Sequence, residues 1–242
     1  VNPQIFAVRT IDINNNIERL YQRFYLNFDR DKFDKWLVSL VPNQVDKSFN
    51  AMFKGFTEVS EGYEIRYIYN GKEKLVKTRI IIGADGAHSM VRNLISKGLN
   101  IPKQYIAIQE WFECKDLMPY YGAILGSALR PKDNTHEKFE KLKNKLKDYG
   151  FNFQNKIKTE GAYIYRPIKT SNFYVGDDNI ALIGEAAGAI SPSSAQGISY
   201  ALRTSLHLAN SLEDGREEFL ERYKKNVKDI KANLMLKKLK SP

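Results

Sequence analysis

Apolar and polar side chains alternate most clearly at Tyr63, Ile65, Tyr67 and Tyr69, the period of a half-buried strand. Asn70-Gly71 comes at once after them and is a strong hairpin signal, so residues 49–77 are expected to form two or three antiparallel strands. The same period recurs over residues 103–113, over 120–130, and over 161–167, where Tyr163 and Tyr165 alternate. Helical spacing marks 34–41 and 134–149, the latter opened by Asn134 or Thr135. Two short apolar runs, Ile80-Ile81-Ile82 and Ile180-Ala181-Leu182-Ile183, read as buried strands. The chain has no internal repeat and no low-complexity linker.

The chemistry lies in the segments just after those two runs. The first leads into GADGAHSMVR, residues 83–92, where Gly83 and Gly86 allow the backbone to approach a ligand with no Cβ in the way. Asp85 sits at the strand end, Ser89 is placed to cap the helix begun by Met90, and Arg92 brings a cation near the turn, where an anion could be held. An ordinary strand-turn-helix corner would show much of the same pattern.

The second run leads into GEAAGAISPSSAQGISYAL, residues 184–202. Gly184 to Gly188 keep side chains small apart from Glu185, Pro192 starts a loop, and Gly197 and Ile198 open a helix. Small residues permit close approach by a flat ligand, and the positive end of the helix suits an electron-rich ring edge. Glu185 can accept hydrogen bonds from hydroxyl groups.

Together the two motifs, about a hundred residues apart, resemble the FAD-binding fingerprints of the para-hydroxybenzoate-hydroxylase-fold flavoproteins, and within them the geranylgeranyl-reductase-like group. The resemblance implies an α/β protein with α+β elements: an FAD-binding Rossmann-like sheet over residues 1–102 and 169–242, and an inserted antiparallel substrate sheet over 103–168. It implies that Asp85 lies near the ribose and pyrophosphate, that Glu185 replaces the usual aspartate on the ribityl chain, and that residues 192–198 line the flavin. NFDRDKFDKWL, residues 27–37, resembles the group's Arg-x-x-Phe-Asp-x-x-Leu helix start, which makes Arg30 a further FAD contact. Tyr163, Tyr165 and Arg166 are the candidates for the substrate face.

The departures matter too. No Gly-x-Gly-x-x-Gly unit occurs and the first residue is Val1, so the chain is expected to be the interior of a longer flavoprotein. Cys114 does not match the group's Cys-Gly-Gly segment, and Ala195-Gln196 stands where Gly-Glu is usual. The Trp-x-x-Pro-Lys connection expected after Tyr121 is absent, as though a strand were missing near Ile124-Leu125.

Composition fits a folded chain: 43% hydrophobic, with 14 Tyr and 13 Phe to fill a core. No apolar stretch approaches the ~20 residues of a membrane span, and no signal peptide is visible. A single cysteine and three scattered histidines offer neither an internal disulfide nor metal-ligand spacing, and a cytoplasmic location is the default. The net charge of +10 is mostly interleaved with acids. The exception is KKNVKDIKANLMLKKLK, residues 224–240, which is either a packed terminal helix or a contact for an anionic membrane surface.

The resemblance also implies a function: two-electron flavin chemistry, with NAD(P)H or a ferredoxin as reductant and an apolar small molecule as substrate. The reaction is reduction of an isoprenoid or other lipid-like alkene. The alternatives are aromatic or polyketide monooxygenation and flavin binding without catalysis. No acid-base dyad stands out, no catalytic proton donor is assigned, and no nucleic-acid partner is expected.

Overall fold

The computed structural model describes residues 5–25, 28–96, 103–114, 120–125, 134–167 and 169–239; the side chains of Ile5, Tyr25, Lys103, Gln104, Leu125 and Arg166 fall outside that description. The strands are β1 (Ile5–Asp12), β2 (Ile17–Tyr25), β3 (Met52–Val59), β4 (Gly62–Tyr69), β5 (Lys72–Thr78), β6 (Ile81–Gly83), β7 (Lys103–Phe112), β8 (Tyr120–Leu125), β9 (Lys156–Arg166), β10 (Gly176–Asp177) and β11 (Ile180–Leu182). The helices are α1 (Arg30–Ser39), α2 (Met90–Ile95), α3 (Thr135–Leu146), α4 (Ile198–Glu213), α5 (Phe219–Asn226) and α6 (Lys228–Leu239). This is the expected mixed α/β class. The chain packs as two compact units, 1–47 with 108–160, and 48–107 with 161–242. Strands β7 and β9 pair with each other, and the chain passes from one unit to the other along both.

In the first unit β1 and β2 form an antiparallel hairpin, and β1 also pairs in parallel with β8. Asp12 closes the hairpin turn, its Oδ1 accepting from the Asn14 and Asn15 amides. The sequence pattern shows no strand here because a charge interrupts the period. Arg9 lies between buried Val8 and Ile11, and its guanidinium donates to Glu18 at 2.6 Å and to the Tyr149 carbonyl at 2.7 Å. The β1–β8 pairing also explains why the packing division differs from one that separates 1–102 from 103–168. Helix α1 starts at Arg30, four residues before the apolar spacing becomes clear, because Asp29 caps the Lys32 amide. Asn134 caps α3 as expected, accepting from the His136 and Glu137 amides. The connection after Leu125, where a strand is expected to be missing, lies outside the described residues.

In the second unit β3, β4 and β5 form an antiparallel meander of three strands, where two or three are expected. Asn70 and Gly71 both take positive φ, 52° and 72°, as a tight two-residue turn requires. The second sheet has the order β10-β11-β6, with β11 and β6 parallel and Ile180, Ala181 and Leu182 opposite Ile81, Ile82 and Gly83. Its inner face and helices α2, α4, α5 and α6 share one core that includes Ile81, Val91, Leu182, Tyr200, Leu208, Phe219 and Tyr223. Val227, Ile230 and Leu234 belong to it, so the apolar seam of the C-terminal run is packed inside the unit. The Tyr223 hydroxyl donates to the Leu182 carbonyl at 3.0 Å, fixing α5 against the end of β11.

Ile230 is fully buried, whereas Leu236 is 59% exposed on the same helix. Ile230→Ala should lower unfolding free energy by roughly 2–5 kcal/mol and Leu236→Ala by less than about 0.5 kcal/mol in urea melts. Equal losses would contradict this placement of α6.

Candidate functional site

Because β6 and β11 run in parallel side by side, their C-terminal ends open at the same edge of the sheet. The Ile183 amide donates to the Gly83 carbonyl at 3.0 Å, extending the pairing to where both chains turn away. Beyond β6 a 3-10 turn at Gly86–His88 leads into α2, and beyond β11 a 3-10 turn at Gly184–Ala187 and the 188–197 loop lead into α4. Crevices outside the carboxyl ends of parallel strands are where α/β sheets bind ligands.

Each turn has its own chemistry. The Asp85 carboxylate is exposed, and its Oδ2 accepts from the Met90 amide at 2.8 Å and the Val91 amide at 3.2 Å. Ser89, fully buried, caps the Arg92 amide at 2.9 Å, so α2 is closed twice. Gly86 has φ +75° and Gly197 a negative φ, and a Cβ at either would meet no atom within 4 Å. Gly83 differs: its Cβ would press on Leu182 and Val91, so it serves strand–helix packing.

Arg92 joins the two turns. It is 2% exposed, donates Nη1 to the Ala186 carbonyl at 3.0 Å and Nη2 to the Asn172 carbonyl at 2.9 Å, and lies over the Tyr174 ring. Burial lowers its pKa from the usual guanidinium value. The cation is thus committed to main-chain carbonyls inside the unit, not to the surface of the turn. Gly188 belongs to the same junction: its φ is +76° and a Cβ there would lie 2.2 Å from the Asn172 carbonyl oxygen. Gly184, at φ +57°, faces Ala201 of α4 and donates its amide to Thr204 Oγ1.

Glu185 is half-buried, and its Oε1 accepts from the Tyr165 amide at 2.9 Å, which ties the turn after β11 to β9. Burial raises its pKa above the usual carboxylate value, opposed by the Tyr165 N–H and by His88. Tyr165 is buried against Ala87 and Ile190, whereas Tyr163 is half exposed and meets the His88 ring edge-on at 4.5 Å. The Arg166 side chain lies outside the described residues. Arg30 is in the first unit, exposed, and ion-paired with Asp34 at 3.4 Å.

The loop before α4 is built on Ser191, which is buried and accepts from the Ser194 amide and hydroxyl. Pro192 is buried beside it. Ala195 holds φ +53°, a region that favours glycine. Ile198 starts α4, and no side chain caps this 16-residue helix, so its first amides face the loop with their partial positive charge. Sequence patterns do not single out Ser191, Asn172 or the His88–Tyr163 contact. The Pro-Ser-Ser run is the available signal for the first, and no local pattern marks the others.

A hollow of about 900 Å³ lies at the other end of the strands, bounded by Glu61, Arg79, Asn179, Asp214 and Glu218. It lies away from the glycine turns, and its rim carries both signs, Glu61, Asp214, Glu217 and Glu218 with Arg79 and Arg216. Among the described residues no cluster of metal-ligating side chains occurs.

Solved structures of flavin-dependent oxidoreductases share the fold of this chain. A geranylgeranyl bacteriochlorophyll reductase-like protein of Thermoplasma acidophilum superposes with a TM-score of 0.77 at 18% identity, over 98% of this chain and 71% of that one. The p-nitrophenol 4-monooxygenase PnpA of Pseudomonas putida gives 0.67 at 13% identity over 97% and 71%, and a Klebsiella pneumoniae HpxO variant complexed with FAD gives 0.63 at 13% over 97% and 72%. No profile of a known family matches the chain. Among curated proteins, CbrA of Escherichia coli is 33% identical across 99% of this chain and 70% of its own length, and CbrA of Shigella sonnei is 33% identical across 99% and 73%. The chain belongs to the CbrA family.

The junction and Glu185 can each be tested by substitution. Gly188→Ala should prevent folding, and Arg92→Met, which removes both charge-assisted bonds of the junction, should cost about 3 kcal/mol or more by thermal or urea melts. A mild effect of both would break the account of the junction. For Glu185, a raised pKa means that the native state keeps a proton the unfolded chain has released. Its contribution is full below the ordinary carboxylate value and is lost as pH rises through the raised one. The native chain should therefore lose stability relative to Glu185→Gln as pH climbs through that window. A pH-independent difference would contradict it.

Proposed function

We propose that the chain is part of an FAD-dependent oxidoreductase that reduces an isoprenoid or other lipid-like alkene, with NAD(P)H or a ferredoxin as reductant. The observation that carries the flavin reading is the pair of glycine turns at the ends of β6 and β11, which open beside the uncapped N-terminus of α4. Gly86 and Gly197 leave space for a ligand to approach the backbone, and the α4 amides present positive charge to it. The residues present thus fit the group.

In this reading Gly83, Asp85, Gly86, Gly184, Glu185, Gly188, Pro192, Gly197 and Ile198 form or support the cradle. Asp85 accepts from ribose hydroxyls while also closing α2. Arg92 acts by holding the two turns at fixed spacing. FAD supplies two-electron transfer when bound, and the chain's task is placement and exclusion of water. Tyr163 and Tyr165 lie on the strand that Glu185 grips, which supports β9 as the substrate side, with Arg166 next along it.

The isoprenoid substrate rests on likeness to the reductase-like protein. The shared fold with PnpA favours a second reading, monooxygenation of an aromatic compound. Oxygen consumption separates them: alkene reduction under anaerobic conditions supports the first, and uptake coupled to hydroxylation the second.

Gly197→Val is the cleanest test of the cradle, because its backbone is not in the left-handed region and its Cβ would enter open space. It should leave the melting temperature nearly unchanged and weaken FAD binding by tenfold or more. Asp85→Asn keeps an acceptor oxygen for the α2 amides and should weaken FAD binding by roughly tenfold to a hundredfold, the worth of one charge-assisted bond. Unchanged flavin titrations for both variants would make the turns structural corners.

A further inference from the structure

Buried and exposed positions along α5 and α6 form two parallel lines. Tyr223, Val227, Ile230 and Leu234 are buried at steps of four, three and four. One residue further on, Lys224, Lys228, Lys231 and Met235 repeat those steps, and Lys238 adds the next one of three. All four lysines are exposed. The helices run on almost without a break, since the Val227 amide donates to the Tyr223 carbonyl and the Lys231 amide to the Val227 carbonyl. The lysines therefore stand in one line beside the buried seam, roughly 21 Å long at 1.5 Å per residue.

The acids on these helices neutralise one member of that line and leave the others. Glu221 pairs with Lys224 at 2.7 Å, and Asp229 is paired with Arg203 of α4. Among the described residues Lys228, Lys231 and Lys238 form no ion pair. At the end of the line the last turn exposes apolar surface, Leu236 at 59% and Leu239 at 82%. A row of four exposed lysines, three of them outside any ion pair, that ends in exposed leucines matches an anionic bilayer, where phosphates meet the ammonium groups and acyl chains meet the leucines. A nucleic-acid backbone would satisfy the lysines but offer nothing to Leu239.

We propose that the lysine line of α5 and α6 docks this protein on membranes containing anionic phospholipid, an inference independent of the flavin reading. The full chain should co-sediment with phosphatidylcholine vesicles that contain phosphatidylglycerol and not with phosphatidylcholine alone, and added salt should release it. Each lysine near such a surface is worth roughly fivefold in binding. The combined change Lys228→Glu, Lys231→Glu and Lys238→Glu should therefore weaken binding by about a hundredfold or more. The control of equal charge, Lys54→Glu with Lys72→Glu and Lys74→Glu on β3 and β5, should keep it. Leu239→Ser should weaken binding with no change in charge. Glutamine at the same three helix positions reads the same effect with less electrostatic disturbance, and a melting curve for each variant confirms folding. Equal binding to neutral vesicles, an equal loss in the control, or binding of duplex DNA without binding of anionic vesicles would overturn the proposal.

Discussion

The Arg92 guanidinium, buried and bonded to the Ala186 and Asn172 carbonyls, is the interaction on which the second unit's site depends. It starts on α2, downstream of the first glycine turn, and ends on the second turn and on the segment before β10. A buried charge has a large desolvation cost, which is offset here because each bond is charge-assisted. Gly188 is glycine because that junction leaves no room for a side chain. The two motifs act as one object because a cation bolts them together.

The elements that can be read from the sequence are those whose own side chains dictate them. Tyr63 to Tyr69 alternate, Asn70-Gly71 demands positive φ, and Asn134 caps α3; all three appear as read. The β1–β2 hairpin is not legible, because Arg9 takes an inward position through partners nine and 140 residues away. The glycine turns are legible as a pattern but not residue by residue. Gly83 and Gly188 answer to protein packing, whereas Gly86 and Gly197 face open space. Local sequence cannot make that distinction, since the decisive neighbours, Leu182 and Asn172, come from distant strands and turns.

Two departures from the flavoprotein pattern now have physical content. Ala195 occupies a left-handed backbone position, which explains why glycine is usual there and means that this loop carries strain. Glu185, one methylene longer than aspartate, reaches the Tyr165 amide and so links the turn after β11 to β9. Its carboxylate is partly buried and has a raised pKa, so it takes up a proton at a higher pH than an exposed carboxylate does. Both changes fall on the segments that would touch a flavin in the proposed reading.

In the proposed reading a flavin sits at the C-terminal ends of β6 and β11. Amide hydrogen exchange with and without FAD tests it most directly, because it reports where the ligand lies whatever the reaction. Slower exchange confined to residues 83–92 and 184–200 is the expected result. Protection instead around residues 58–62 and 214–218, which border the hollow at the other end of the strands, or no protection at saturating FAD, would contradict the account.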